Sequence, residues 1–203
     1  MMPLARLSFI FLLLMSGCGE AHVERYVEGV HYALVQGATP PAEEKGTVME
    51  FFSFGCPHCN AMEAHVQNWL AKKPDAVHFV RIPVQWNPQF RLWGQLFYTL
   101  ENLGQERHEP AVYDYIHQKH LPLQNEEQIQ AWFLELGGSA EDFQRAFHSD
   151  EVREKMDLAD QAAVSYRISG VPAFIVNGRY FVNVTQAGSP EILFDVVNFL
   201  LEK

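Results

Sequence analysis

A Cys-x-x-Cys sequence at the junction of a strand and a helix constrains the fold of this chain more than any other feature. Residues Thr47 to Phe54 form a strongly apolar run that is typical of a buried strand. Gly55-Cys56-Pro57 then turns the chain, and apolar residues recur at helical spacing as far as Leu70. Val77 to Val84 predicts the next strand, since it is rich in β-branched and aromatic residues. Strand, helix and strand in this order predict a parallel βαβ unit with a right-handed crossover.

The remainder of the chain divides into a helical stretch and a second strand region. From Pro88 to Arg167 the apolar pattern is almost wholly helical. Asn177-Gly178 between two apolar runs predicts a β-hairpin, and Ser189-Pro190 begins a final helix. A leading strand is predicted at Tyr26 to Val35. The chain is therefore expected to be an α/β protein in which a helical subdomain is inserted between a βαβ part and a ββα part.

Length, charge and cysteine count limit the class of protein. A chain of 203 residues with 48% hydrophobic residues can bury one sizeable core. The formal net charge of -10 offers no basic surface for neutralising phosphates, which argues against nucleic acid as a partner. The three cysteines are too few for a disulfide-stapled scaffold, and two of them form the Cys-x-x-Cys pair.

The segment Cys56-Pro57-His58-Cys59 has the spacing and position of a redox-active pair. Residues three apart on a helix are neighbours, within the Cβ separation of a disulfide. Cys56 lies at the helix N-terminus, where unpaired N–H groups and the helix dipole stabilise a thiolate, whereas Cys59 is deeper and shielded. His58 adds a donor and, when protonated, a positive charge beside that thiolate. Cys56 is therefore predicted to be the attackable sulfur of an easily donated disulfide.

Two other interpretations of the pair are a structural disulfide and half of a zinc site. Zinc would require two more ligands at a regular spacing, and the sequence has no second Cys-x-x-Cys. His117 and His120 lie three apart on a predicted helix, but no third ligand accompanies them, so we interpret them as a solvated helix end. We therefore expect no metal and no organic cofactor.

The first residues have the character of an export signal. Arg6 is their one charged side chain, and the apolar run from Leu7 to Met15 is too short to span a bilayer. The order Leu14 to Cys18 resembles a bacterial lipoprotein signal, in which the cysteine is lipidated and becomes the new N-terminus. Cleavage after Ala21 would instead discard Cys18 and release a soluble protein. Either route places the mature domain outside the reducing cytoplasm, where disulfides persist.

Two segments carry a resemblance to the DsbA family of periplasmic disulfide oxidases. Glu50 to Cys59 is similar to the active-site strand and motif of that family, although Gly55 stands where the best-known member has Phe. Gly170 to Phe174, followed by Val176-Asn177-Gly178, is similar to the cis-proline loop and hairpin of the family. The resemblance implies a thioredoxin fold (βαβ–ββα) with an inserted helical subdomain.

The resemblance also divides the chain and assigns residues to roles. Residues 1–21 are the signal segment and anchor region, 22–87 and 168–203 the two parts of the thioredoxin domain, and 88–167 the helical insert. The implied catalytic residues are Cys56, Cys59, His58, Pro57 and Glu50, and the implied substrate-binding residues are Val171 and Pro172. Glu50 lies inside an apolar strand run, and the family places this glutamate beneath the buried cysteine, where it helps the thiol proton move. Arg81 is the expected partner of Glu50, and the alternative is a glutamate that faces solvent at a strand edge.

The function expected from these features is donation of a Cys56–Cys59 disulfide to reduced or unfolded exported proteins in the periplasm. A membrane partner of the DsbB type is implied as the reoxidant, the protein is expected to be a monomer, and Cys18 is the candidate for lipidation and the one expected contact with a membrane. A disulfide reductase or isomerase on the same fold is one alternative. A non-catalytic exported binding protein with an inert cysteine pair is the other.

Overall fold

The sheet is mixed, with both parallel and antiparallel strand pairs. The computed structural model of the protein describes residues 25–35, 45–121 and 123–203. The bounds of its strands are Ala33–Leu34 (β1), Thr47–Phe52 (β2), His78–Pro83 (β3), Ala173–Val176 (β4) and Tyr180–Val182 (β5). The strands run in the order β1-β5-β4-β2-β3, with β2 parallel to β3 and antiparallel to β4, so β3 is an edge strand.

The helices follow the predicted order. Their bounds are Pro57–Leu70 (α1), Pro88–Asn102 (α2), Glu109–Tyr113 (α3), Glu126–Glu135 (α4), Ala140–Phe147 (α5), Asp150–Ser165 (α6), Val184–Ala187 (α7) and Pro190–Leu201 (α8). Helix α1 joins β2 to β3, and α2 to α6 lie between β3 and β4, which confirms the thioredoxin fold with a helical insert. A single turn of π-helix, Asp114–Gln118, continues α3. Within the described ranges, no helix is both long and apolar enough to cross a membrane.

Local sequence signals account for several of these boundaries. Asn87 and Ser189 cap α2 and α8, because their side-chain oxygens accept from the N–H groups three residues later, at 2.8 and 3.2 Å. Asn177 and Gly178 have φ angles of 53° and 61°, and the Arg179 N–H donates to the Val176 carbonyl at 3.0 Å. These are the features of the tight turn that the Asn-Gly pair predicts, so the hairpin of β4 and β5 is confirmed.

Two hydrophobic layers enclose the sheet. One contains Phe51 of β2 together with residues of α2 and α6, and the other contains Val48 of β2 together with residues of α1 and α8. The two strand residues belong to different layers because side chains alternate across a strand. Cys56 and Cys59 belong to the first layer, so the cysteine pair lies at the margin of a packed core.

The predicted leading strand is largely wrong. Gly29 has a φ of 78°, and the His31 N–H donates to the Val27 carbonyl at 2.9 Å, so the chain turns within the segment predicted as Tyr26 to Val35. Only Ala33–Leu34 pairs with β5. The aromatic residues that suggested a strand are instead buried anchors, since Tyr26 and Tyr32 are 6% and 2% exposed.

Candidate active site

The two cysteines lie where β2 ends and α1 begins. The Cys56 N–H donates to the Ser53 carbonyl at 3.0 Å and closes a turn, which places Cys56 at the N-cap of α1 with an extended backbone. Pro57 occupies the first helical position, where the missing N–H costs nothing. Cys59 follows within the first turn. Cys56 is 9% exposed and Cys59 is fully buried, so only Cys56 presents its sulfur to an attacking thiolate.

The two thiols differ strongly in acidity. A hydrogen bond from the Cys59 thiol lowers the pKa of Cys56 from its usual 9.0 to about 6, and the backbone N–H groups of Cys59 and His58 and the nearby His58 imidazole add to this effect against the cost of burial. Burial raises the pKa of Cys59 far above its usual value, and the adjacent Cys56 raises it further. At neutral pH the reduced pair therefore holds one thiolate, on Cys56, and one thiol, on Cys59.

The loop before β4 lies directly beside Cys56. The Val171–Pro172 peptide bond is cis, as the family resemblance implies. The Val171 carbonyl oxygen is 3.5 Å from Cys56 Sγ, and both loop residues are half-buried. Pro57 and His58, which follow Cys56 in the chain, are exposed. The structure thus brings together the residues of the Cys-x-x-Cys segment and the cis-proline loop.

Glu50 is buried beneath this site rather than facing solvent. Glu50 and Arg81 are paired across β2 and β3, and Arg81 Nε donates to a Glu50 carboxylate oxygen at 2.9 Å. The Glu50 side chain is 1% exposed, which rules out the solvent-facing alternative. Burial raises the pKa of Glu50 to about 7 against the opposing effect of Arg81. The charge of Glu50 in turn helps to raise the pKa of Cys59.

Two further carboxylates contact Arg81, and the sequence did not single them out. Arg81 Nη2 donates to Glu63 at 2.9 Å, and Arg81 Nη1 donates to Glu109 at 2.6 Å. The four side chains are each between 1% and 10% exposed. We call this set, Glu50, Glu63, Arg81 and Glu109, the acid cluster. Glu63 lies four residues after Cys59 and so shares its helix face, a signal available in the sequence. Nothing in the sequence points to Glu109, which comes from α3.

Gly55 departs from the family pattern for a steric reason. A Cβ atom on Gly55 would lie 2.0 Å from Cζ3 of Trp93, a residue of α2. Trp93 is held in place by the hydrogen bond from its indole N–H to the Leu123 carbonyl at 2.8 Å. The aromatic ring next to Cys56 is therefore supplied by the helical insert and not by the residue before the cysteine.

The interpretation of His117 as part of a solvated helix end is wrong. Its Nε2 lies 2.7 Å from the carbonyl oxygen of Phe54, and its ring stacks on Tyr113. His117 thus ties the helical insert to the turn that precedes Cys56, whereas His120 is exposed. Among the residues that the structure describes, no group of three His, Cys, Asp or Glu is arranged to hold a metal ion. Cys18 lies outside the described residues.

Comparison with known proteins agrees with this geometry. The family model of the DSBA-like thioredoxin domain matches residues 76–193, more than half of the chain. The chain belongs to this family. The thiol:disulfide interchange protein DsbA of Pseudomonas aeruginosa is 34% identical over 185 residues, which cover 90% of this chain and 88% of that protein. The protein of the same name from Azotobacter vinelandii is 34% identical over 177 residues, covering 86% and 83%.

Solved structures of DsbA proteins share the fold. The crystal structure of Pseudomonas aeruginosa DsbA matches with a TM-score of 0.81 at 32% identity, covering 87% of this chain and 93% of that one. The Xylella fastidiosa oxidoreductase DsbA matches with a TM-score of 0.77 at 25% identity, covering 85% and 94%. The similarity therefore extends over nearly the whole of the described chain.

Proposed function

We propose that this DsbA-family protein is a thiol:disulfide oxidoreductase that donates a Cys56–Cys59 disulfide to exported proteins in the periplasm. The observation that carries the proposal is the asymmetry of the pair: Cys56 is partly accessible, at 9% exposure, with its pKa lowered to about 6, and Cys59 is fully buried with its pKa raised. A weakly basic thiolate is a good leaving group, so a disulfide that contains Cys56 is readily given away.

The proposed reaction proceeds through a mixed disulfide. A substrate thiolate attacks Cys56 Sγ, the Cys56–Cys59 bond breaks, and Cys59 leaves with the electron pair and takes up a proton. A second substrate thiolate then attacks the substrate sulfur of the mixed disulfide, and Cys56 leaves as a thiolate. The substrate loses two electrons and the protein gains them. Reoxidation falls to a membrane partner of the DsbB type, which the family membership supports.

The surrounding residues are proposed to have distinct roles. Val171 and Pro172 dock the substrate backbone beside Cys56, a role supported by the 3.5 Å separation of the Val171 carbonyl oxygen and Cys56 Sγ. His58 stabilises the thiolate. Glu50 delivers the proton to Cys59, a role supported by its burial and by its pKa of about 7, which keeps a fraction of the carboxyl protonated at neutral pH.

Substitution of each cysteine tests this division of labour. In Cys59→Ser the Cys56 thiolate still reacts, but no internal thiol resolves the mixed disulfide, so the variant is expected to trap substrates covalently. Cys56→Ser is expected to trap few, because the remaining sulfur is fully buried. Trapped complexes are counted on non-reducing gels after reaction with a disulfide-containing peptide. Equal trapping by the two variants contradicts the proposal, and no trapping by either favours a non-catalytic binding protein.

The export signal supports a further proposal, that Cys18 is lipidated and holds the mature domain at a membrane. The apolar run Leu7 to Met15 and the small residues before Cys18 are its support. The mature protein should then fractionate with membranes, and Cys18→Ala should release it, whereas Cys56→Ala should not. A mature chain that begins at His22 and is wholly soluble contradicts the anchor and leaves the oxidoreductase proposal intact.

A further inference from the structure

The acid cluster contains three acidic side chains and one basic side chain. Three carboxylates surround one guanidinium, at distances of 2.9, 2.9 and 2.6 Å from its nitrogens. Three ionised carboxylates would leave an excess of two negative charges among side chains that are at most 10% exposed, which is strongly unfavourable. The cluster therefore retains protons near neutral pH. In agreement, burial raises the pKa values of Glu50 and Glu109 to about 7.

The proton that Cys59 takes up during disulfide donation has no direct route from solvent. Cys59 is fully buried, and Cys56, the sulfur in front of it, is 9% exposed even without a substrate. When a substrate is bonded to Cys56, that exposed area is covered. A proton source is therefore needed on another side of the buried sulfur.

A cavity of about 630 Å³ borders the acid cluster beside the edge strand β3. Its walls come from β2, β3, α2, α3 and α6 together with Glu106, and no lining residue belongs to the segment from Cys56 to Cys59. Arg81 and Glu109 line this cavity, whereas Glu50 and Glu63 do not. The acid cluster thus extends from beneath the cysteines to a cavity that the Cys56–Cys59 segment does not line, and Glu109 is its carboxylate at that cavity.

Tyr113 adds a polar group beside the cluster. It lies four residues after Glu109 on α3, is 2% exposed, and its hydroxyl has no hydrogen-bond partner among the described residues. It interacts electrostatically with Arg81, Glu50 and Cys59. A buried hydroxyl without a partner is rare in native structures, and this one is close enough to both the cluster and Cys59 for their charges to affect it.

We propose that Glu109 is the exchange point through which the proton used at Cys59 passes between the acid cluster and solvent in the cavity. This positioning role rests on the proposed function. During donation, Glu50 gives a proton to the departing Cys59 sulfur, and a solvent proton taken up through Glu109 restores the cluster. During reoxidation the same proton leaves by the reverse path. Arg81 keeps its charge throughout and holds the carboxyls close enough to share protons.

The titratable and charged groups that face this path come from several elements around it. They are Glu50 (β2), Cys59 and Glu63 (α1), Arg81 (β3), Tyr113 (α3), Tyr98 and Glu101 (α2), Lys155 (α6), Tyr166 and Glu106. Among the lining residues, Glu101 and Lys155 are paired at 3.5 Å, and Lys155 also lies 3.2 Å from Glu151.

The test is the rate at which oxidised Glu109→Gln reacts with a reduced two-cysteine peptide, divided by the wild-type rate at each pH from 5 to 9. The ratio should be near one at pH 5, where Glu50 is protonated in both proteins. At pH 8 it should fall to about one tenth, because removal of one carboxylate lowers the pKa of Glu50 by about one unit and closes the exchange route. Imidazole, a small proton donor, should recover the part of the loss that comes from the closed exchange route, and Glu109→Asp should retain most of the wild-type rate.

Two matched variants distinguish a loss of proton exchange at Glu109 from a purely electrostatic effect on the pKa of Glu50. Glu106→Gln removes a carboxylate from the same cavity without touching Arg81 and should react like wild type. Glu63→Gln removes a carboxylate that contacts Arg81 but does not line the cavity, so its rate should not respond to imidazole. The inference is overturned if Glu109→Gln matches Glu106→Gln at every pH, or matches Glu63→Gln with no response to imidazole.

A second variant keeps the test decisive if Glu109→Gln does not fold. Leu158 is 55% exposed on α6 and lines the cavity, so Leu158→Trp narrows the opening while leaving every charged residue in place. It should slow the reaction at pH 8 and not at pH 5, and an unchanged profile counts against the inference. A wild-type protein that fails to oxidise the peptide at any pH refutes the proposed function instead, so the two failures are distinguishable.

Discussion

Replacement of Arg81 by methionine is expected to destabilise the protein by about 3–5 kcal/mol at pH 8, because it leaves three buried carboxylates without their cation. The loss should shrink on acidification. Folding raises the pKa values of Glu50 and Glu109, so their contribution to stability is fully present below the unfolded value of about 4.3 and is lost as the pH rises through about 7. Removal of the guanidinium raises those pKa values further and steepens this dependence.

Urea denaturation of the variant and the wild type at pH 5 and pH 8 measures the effect. Arg91→Met is the matched control, since Arg91 is about half-exposed and lies 3.5 Å from Asp160 at the surface. It should change the free energy of unfolding by about 0.5 kcal/mol or less. Arg81→Lys, which keeps the charge and loses the guanidinium geometry, should fall between the two. A loss for Arg81→Met that is small, or that is equal at both pH values, contradicts the description of the acid cluster.

The second large effect is a change with pH in the stability of the reduced protein relative to the oxidised protein. Because folding lowers the pKa of Cys56 to about 6, its contribution to the stability of the reduced form is fully present above the unfolded value of about 8.5 and is lost as the pH falls through about 6. That contribution is about 2.5 kcal/mol at pH 8 and close to zero at pH 5. A disulfide that closes so short a loop stabilises the oxidised form by about 2 kcal/mol through the entropy of the unfolded chain.

The reduced form should therefore be the more stable at pH 8, and the oxidised form the more stable at pH 5. Denaturant titrations of both redox forms at each pH measure the difference. Glu50 and Glu109 are present in both forms, so their titration largely cancels in this comparison. The measurement is best kept at or below pH 8, because the raised pKa of Cys59 opposes the stability of the reduced form above about 8.5. A difference that is the same at pH 5 and pH 8 contradicts the thiolate argument.

Much of the fold could be predicted because it depends on local sequence signals. The apolar run before Cys56, the Asn177-Gly178 turn and the Ser189 cap each specify a backbone conformation within a few residues, and the structure contains all three. The extent of the leading strand could not be predicted, because Tyr26 and Tyr32 are aromatic residues that pack against the core and do not form a paired strand. The spacing of apolar residues indicates which positions are buried, but residues are buried both in strands and in turns that cover a core.

The residues of the candidate site likewise divide into those that the sequence could identify and those that it could not. Cys56 and Cys59 could be found because a Cys-x-x-Cys pair at the start of a helix is by itself an arrangement that lowers the pKa of a thiol. Glu109, Trp93 and His117 come from the helical insert and reach the site only through the tertiary fold, so no sequence spacing relates them to the cysteines. Glu50 was found as a carboxyl in an apolar run, but the excess of acid around Arg81 became visible only when the three carboxylates were seen to share one guanidinium.

The most direct test of the central claim is the equilibrium between the Cys56–Cys59 pair and a glutathione buffer of known composition. This equilibrium is linked through one thermodynamic cycle to the difference in stability between the reduced and oxidised forms, because a thiolate that is stabilised in the folded protein makes the disulfide more oxidising. The expected reduction potential is about −120 mV, the value of the disulfide oxidase DsbA. A potential of about −270 mV, as in thioredoxin, would contradict the oxidase function and favour a reductase.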